Sequence, residues 1–473
     1  MRNKSFGLAA TALAGLLAAG TANAAATIVI VNGNAAGVGF NDPTAAVPVG
    51  GNPGTTLGEQ RLIAFQAAAN VWGATLTSTV PIQVLATFEP LTCTATSAVL
   101  GSAGAVTVSG DFPGALIPGS WYSAALANKL SGTDRAPTQA DIRARFNSNL
   151  GTAGCLPTSP FYLGLDRNHG TAIDLVTVLL HEFGHGLGFQ TFTNGSTGVP
   201  FSGFPSVWDH FLKDQTQNLR WVEMTDAQRA ASAINPRKLV WIGANVTAAA
   251  PSVLGLGVPQ LQITGPAAGT ASGFYEVGAA NFGPLLSSPG LYGEVMPVSP
   301  SATGEGCAPL SAVDRAAVAG KFALVSRGTC GFVVKAGNVQ AAGAIGLIVA
   351  DNVAGGPPAG LGGGPDASIL IPAARITLED ATRIRVALAK RSRTKSGVFA
   401  TLGVNASQRA GTDPFGFVQL YTPNPFQGGS SVSHWDTGAF PNQLMEPAIN
   451  GDLTHSVLAP QDLTFKLFQD IGW

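Results

Sequence analysis

His181-Glu182-Phe183-Gly184-His185 places two histidines four residues apart with an acid beside the first. Four residues of α-helix turn about 400° and rise about 6 Å, so both imidazoles leave one face and can meet one ion. A Zn²⁺ bound by two such nitrogens at about 2.0–2.1 Å needs a third protein ligand and keeps a position for water. Glu182 lies on the same side, where it can reach that water as general base. The stretch Ala172 to Leu187 is apolar all round (Ile173, Leu175, Val176, Val178, Leu179, Leu180, Phe183), which predicts a buried central helix. Polar residues on such a helix are costly unless satisfied, and a metal satisfies them directly. Thr171 is the expected cap, Asp174 the third helical position of a capping box, and Gly188 the stop.

The third ligand is open among Asp209, Glu223 and His434, because the position three residues beyond Gly188 is Thr191. Asp209 sits in a segment that equally reads as an amphipathic helix, and Glu223 has no helical Asn-Glu context. Ser433-His434-Trp435-Asp436, followed by Gln443-Leu444-Met445-Glu446-Pro447, is more specific. With these residues the sequence resembles the leishmanolysin-type metzincins, in which HExxHxxGF is followed, after a long insertion, by His-Trp and then Leu-Met-x-Pro. The resemblance covers roughly residues 26–200 and 405–473. It implies an α+β metzincin-like zinc protease domain, a mixed sheet plus an active-site helix, that hydrolyses peptide bonds internally with one catalytic zinc. It further implies His181, His185 and His434 as zinc ligands, Glu182 as catalytic acid/base, and Met445 as the Met-turn residue beneath the metal. The chain departs from the family in lacking a pro-segment cysteine, since its first cysteine, Cys93, lies inside the expected catalytic region.

These residues need a scaffold. Thr27 to Val31 reads as a strand, Leu57 to Thr77 as a helix (Leu62, Phe65, Ala69, Trp72), and Val80 to Phe88 as a second strand. This β-α-β opening leaves no room for a propeptide. His434 follows His185 by 249 positions, so something folded must occupy the interval. There a strand (320–325), a turn (327–332), a helix (333–342) and another strand (343–349) follow one another. Their GK-x-x-LV-x-RG-x-C-x-F-x-x-K and AGA-x-G-x-x-V pattern resembles a protease-associated (PA) domain, a β-rich non-catalytic lid or substrate-binding module, with Ile371-Pro372-Ala373 as a later strand. The expected division is a signal peptide at 1–24, a first catalytic part at 25–250, the PA insertion at 251–405 and a second catalytic part at 406–473. Glycines 355, 356, 360, 362, 363 and 364 mark a flexible loop, and no Gly-Lys-Ser/Thr makes it a phosphate loop.

Composition bounds the rest. In 473 residues, 45% hydrophobic and 11% charged with net charge -1, disorder is excluded as the main state. The charge balance gives no footprint for nucleic acid. A basic start (Arg2, Lys4), an apolar Leu8 to Ala19 and the Ala22-Asn23-Ala24 site read as a secretory signal, so the expectation is a secreted, extracellular protein of bacterial type with no membrane span. Four cysteines in an oxidising compartment favour disulfides Cys93–Cys155 and Cys307–Cys330, one per domain. Protein or peptide substrates are the expected partners. His169, His210 and His455 lack ligand spacing, and Asp166 and Asp351 lack an EF-hand pattern. A two-metal aminopeptidase, a class that also carries PA inserts, lacks HExxH. A catalytically silent binding protein would have no need for Glu182.

Overall fold

The computed structural model describes residues 25–299, 304–364 and 366–473; the expected signal peptide, 1–24, lies outside them. The chain opens with β1 (Ile28–Asn32), α1 (Leu57–Thr75) and β2 (Ile82–Glu89). Thr56 and Glu59 close a capping box at the start of α1. Along β2 buried and half-buried residues alternate, as a pleated strand with one face on a core requires. β3 (Gly101–Ala105) and β4 (Ile142–Asn147) complete a sheet of order β1-β2-β4-β3. β1, β2 and β4 are parallel, while β3 pairs antiparallel with β4 and has no strand on its other edge among the described residues.

The site helix, α2 (Leu175–Leu187), is buried along its whole length and packs against β3, β4 and α1. Trp72 Nε1 of α1 donates to the Leu180 carbonyl at 3.1 Å, which fixes the two helices to each other. The start of α2 differs from expectation. Ile173 and Asp174 form a short strand parallel to Phe161–Tyr162, so helix begins only at Leu175. Asp174 is therefore the cap and not the third helical residue, accepting the Val176 N–H at 3.2 Å. β-branched Ile173 gains a ladder partner, and a short carboxylate caps better than it sits inside a helix. Gly188 ends α2 with φ 129°, a backbone angle that side chains resist.

The two sequence halves share one core. Leu239–Trp241 pairs with Val418–Gln419, and the apolar cluster runs from Ala26 to Leu254 and resumes from Val418 to Ile471. The intervening chain folds on an eight-stranded sheet of its own: β5 (Leu256–Thr264), β6 (Gly273–Glu276), β7 (Gly278–Ala279), β8 (Leu291–Pro297), β9 (Phe322–Ser326), β10 (Gly346–Ala350), β11 (Ala373–Ile376) and β12 (Phe399–Arg409). Its order is β6-β5-β12-β8-β9-β10-β11-β7, with β8 to β11 parallel. Phe322, Leu324 and Ile348 enter one apolar cluster, and Ala323, Val325, Leu347 and Val349 the other, which explains why these strands are nearly continuous apolar runs.

Position 251 lies inside a helix, α3 (Ala244–Val253), whose Ala249, Ala250 and Val253 belong to the first core, and position 405 lies inside β12. The sheet itself begins at Leu256 and ends at Arg409, which are register partners, and the Ala410 N–H donates to the Gly255 carbonyl at 3.0 Å. Disulfides join Cys93 to Cys155 and Cys307 to Cys330. No helix among the described residues is long and apolar enough to cross a membrane.

Candidate metal centre

α2 projects His181 and His185 from one face, and the segment after Val418–Gln419 brings His434 to them. The three Nε2 atoms lie 3.1, 3.2 and 3.3 Å apart. Each ring is oriented by its other nitrogen: Nδ1 contacts the Leu444 carbonyl at 2.7 Å in His181, the Phe189 carbonyl at 2.8 Å in His185 and the Ser430 carbonyl at 2.8 Å in His434. A carbonyl oxygen only accepts, so Nδ1 carries the proton of each ring. Burial holds His181 down to about 4, and burial with the neighbouring imidazoles holds His185 down to about 3 and His434 well below the usual range. The imidazoles are therefore neutral, and three bare lone pairs point at one another with no proton between them.

Such a donor set fits a cation. Two nitrogens bound tetrahedrally at about 2.05 Å lie about 3.3 Å apart, close to the spacings found here. The residues that would hold the ion are His181, His185 and His434. The other candidates lie elsewhere. Both carboxylate oxygens of Asp209 take hydroxyls, Thr191 Oγ1 at 2.6 Å and Thr193 Oγ1 at 2.7 Å, so Asp209 anchors the chain leaving α2. Glu223 is paired with Arg220 at 2.8 Å on the surface. His169 bonds the Ala172 carbonyl, His210 bonds Ser120 Oγ, and His455 pairs at 2.5 Å with the cap Asp174.

Met445 lies under the helix: a Cβ on Gly184 would come within 2.8 Å of its Sδ, so only glycine at 184 lets the two segments approach. The Met445 turn is braced from below. Leu444 N–H donates to Asp462 at 2.6 Å, Leu463 N–H donates to Gln443 Oε1 at 3.0 Å, and Trp435 N–H donates to the Met445 carbonyl at 2.8 Å. Trp435 packs edge-on against Phe189, and Phe189 against Trp208, an aromatic wall that ties the His434 segment to the end of α2.

Glu182 is 8% exposed, and burial pushes its carboxyl up to about 8 against a hydrogen bond from the Ala103 backbone. Gly101 makes room for it, since a Cβ there would meet Glu182 Cγ at 3.1 Å and the Phe146 ring at 2.9 Å. His181, Glu182, His185 and His434 open onto a cleft of about 1090 Å³, walled by β3 and by the chain that follows Met445. Sequence reasoning missed β3, Asp462 and Gln190, whose side chain lines the same cleft. Gly-Ser-Ala-Gly-Ala carries no period-two signal, and a lone acid or amide gives none.

Among known proteins, residues 291–384 match the family model of the PA domain, so the chain contains one. No curated protein matches the chain. Similar solved structures include an aminopeptidase from Aneurinibacillus sp. strain AM-1, 25% identical over 32% of this chain and 31% of that one, with TM-score 0.24. Another is BSAP, a zinc aminopeptidase from Bacillus subtilis, 22% identical over 34% of this chain and 36% of that one, with TM-score 0.22. The chain thus spans about a third of the length of the structures it matches.

Proposed function

We propose that this chain is a secreted, zinc-dependent endopeptidase of metzincin type, with the PA domain inserted between the second and third ligands. The observation that carries the reading is the set of three buried, neutral imidazoles whose Nε2 lone pairs converge beside a buried carboxyl in a large cleft. When bound, zinc would supply Lewis acidity to a peptide carbonyl and lower the pKa of water. The rest falls to the chain's own residues. Glu182, ionised because a cation held by the neighbouring imidazoles would offset its burial, accepts the proton of the attacking water at its carboxylate and passes it to the leaving amine nitrogen. The edge of β3 away from β4, which has no strand beside it among the described residues, offers backbone N–H and C=O groups other than the Ala103 N–H that meets Glu182 to an extended peptide, as a strand edge does when it gains a strand. Phe189, Leu444 and Ser430 carbonyls hold the three rings in the tautomer that binds. The signal-like N-terminus and the two disulfides support export.

The test pairs metal analysis with cleavage of peptides blocked at the N-terminus, which an aminopeptidase would refuse. One zinc per chain, cleavage of blocked peptides, and a loss of about 10²–10⁴-fold in Glu182→Gln with zinc retained are expected. Cleavage confined to free N-termini, or a Glu182→Gln protein as active as wild type, would overturn the reading.

A further inference from the structure

Gln190 follows Phe189, whose carbonyl orients His185, and precedes Thr191, whose N–H donates to Ser433 Oγ at 3.2 Å and whose hydroxyl is held by Asp209. The backbone on both sides is thus pinned, and the Gln190 side chain lines the cleft with the three imidazoles and Glu182. Its Oε1 lies against the edge strand, 3.5 Å from where a Cβ on Gly104 would stand, next to the Ala103 that meets Glu182. Its Nε2 is buried and has no hydrogen-bond partner among the described residues. An amide used only to fill space would be a poor choice here. A buried donor without a partner is destabilising, and methionine of similar length would fill the volume without that cost.

We infer that Gln190 is a substrate-contacting residue, its amide turning from the buried position shown here so that Nε2 donates to a backbone carbonyl oxygen of a peptide laid along β3 near the scissile bond. The inference rests on the peptidase reading and adds to it the group that takes up the substrate carbonyl. An amide suits the position better than an acid, because a carboxylate beside Glu182 would repel it and donate nothing.

The experiment compares wild type, Gln190→Met and the near-isosteric Gln190→Glu as zinc-loaded full chains. Zinc content should be unchanged and the thermal midpoint of Gln190→Met equal or higher, because an unsatisfied donor has been removed. Both variants should lose about tenfold or more in kcat/KM on a blocked peptide. In a Glu182→Gln background, calorimetric binding of the uncleaved peptide should weaken by a similar factor on adding Gln190→Met. An active wild type whose variants match it in cleavage and peptide binding would overturn this role, as would a fall in melting temperature that accounts for the lost activity. If wild type cleaves no peptide, the peptidase reading and this role fall together.

Discussion

Each of the three imidazoles gives its Nδ1 proton to a main-chain carbonyl, so removing one ring leaves an incomplete ligand set in a buried place. His434→Ala should release the metal from the purified protein, since two histidines hold zinc poorly. Asp209→Ala should retain it, because that carboxylate is taken by Thr191, Thr193 and the Ser206 N–H. Stoichiometric zinc in His434→Ala, with loss in Asp209→Ala, would reverse the ligand assignment. Glu446, beside Met445, bears on stability. Burial pushes its carboxyl up to about 8; the Gln443 N–H opposes this and the charges of Asp436, Asp452 and Asp462 add to it. Between the ordinary 4.5 and about 8 the folded chain therefore holds a proton that the unfolded chain releases. Stability falls as pH rises through that window, by at most about 1.4 kcal/mol per unit. Glu446→Gln should match wild type at pH 4 and resist urea better at pH 8. Parallel denaturation midpoints across that range would refute the assignment.

At the scale of elements, the thirteen residues of α2 carry the metal-facing side, with the cap Asp174 just before them and the glycine exit Gly188 just after. Asp174 is held below the usual carboxylate range: burial alone would raise it, but His455, Thr177 and the Val176 N–H outweigh burial. Asp174→Ala removes the cap and leaves His455 without its carboxylate, so thermal unfolding should show a loss of about 1–2 kcal/mol. A variant as stable as wild type would mean the cap contributes nothing. Much of this helix was legible in the sequence, because the four-residue histidine spacing and the all-round apolar character need no partner to be read. Its first turn was not, since the strand pairing of Ile173 with Phe161 is a long-range contact that competes with local capping. The wall β3 was invisible for the same reason: Gly101 to Ala105 becomes a strand only because β4 supplies the ladder.

At the scale of the molecule, two bodies with separate apolar cores meet where Arg237 lies 3.4 Å from Glu276 of β6 and 3.5 Å from the buried Asp436, two residues after His434. The large core takes no residue from the eight-stranded sheet. Replacing 256–409 by a short Gly/Ser linker between Gly255 and Ala410, already hydrogen-bonded neighbours, should leave zinc binding and small-peptide cleavage intact. Cleavage of folded proteins should change. A deleted chain that neither folds nor binds zinc would make the sheet part of the site's own support. The 249 positions between His185 and His434 also set a clock. At about 5–20 residues per second a ribosome takes roughly 10–50 s to pass from one to the other. For that interval the emerging chain presents two of the centre's imidazoles without the third, so the centre cannot be completed until the PA domain has been made and His434 has followed it.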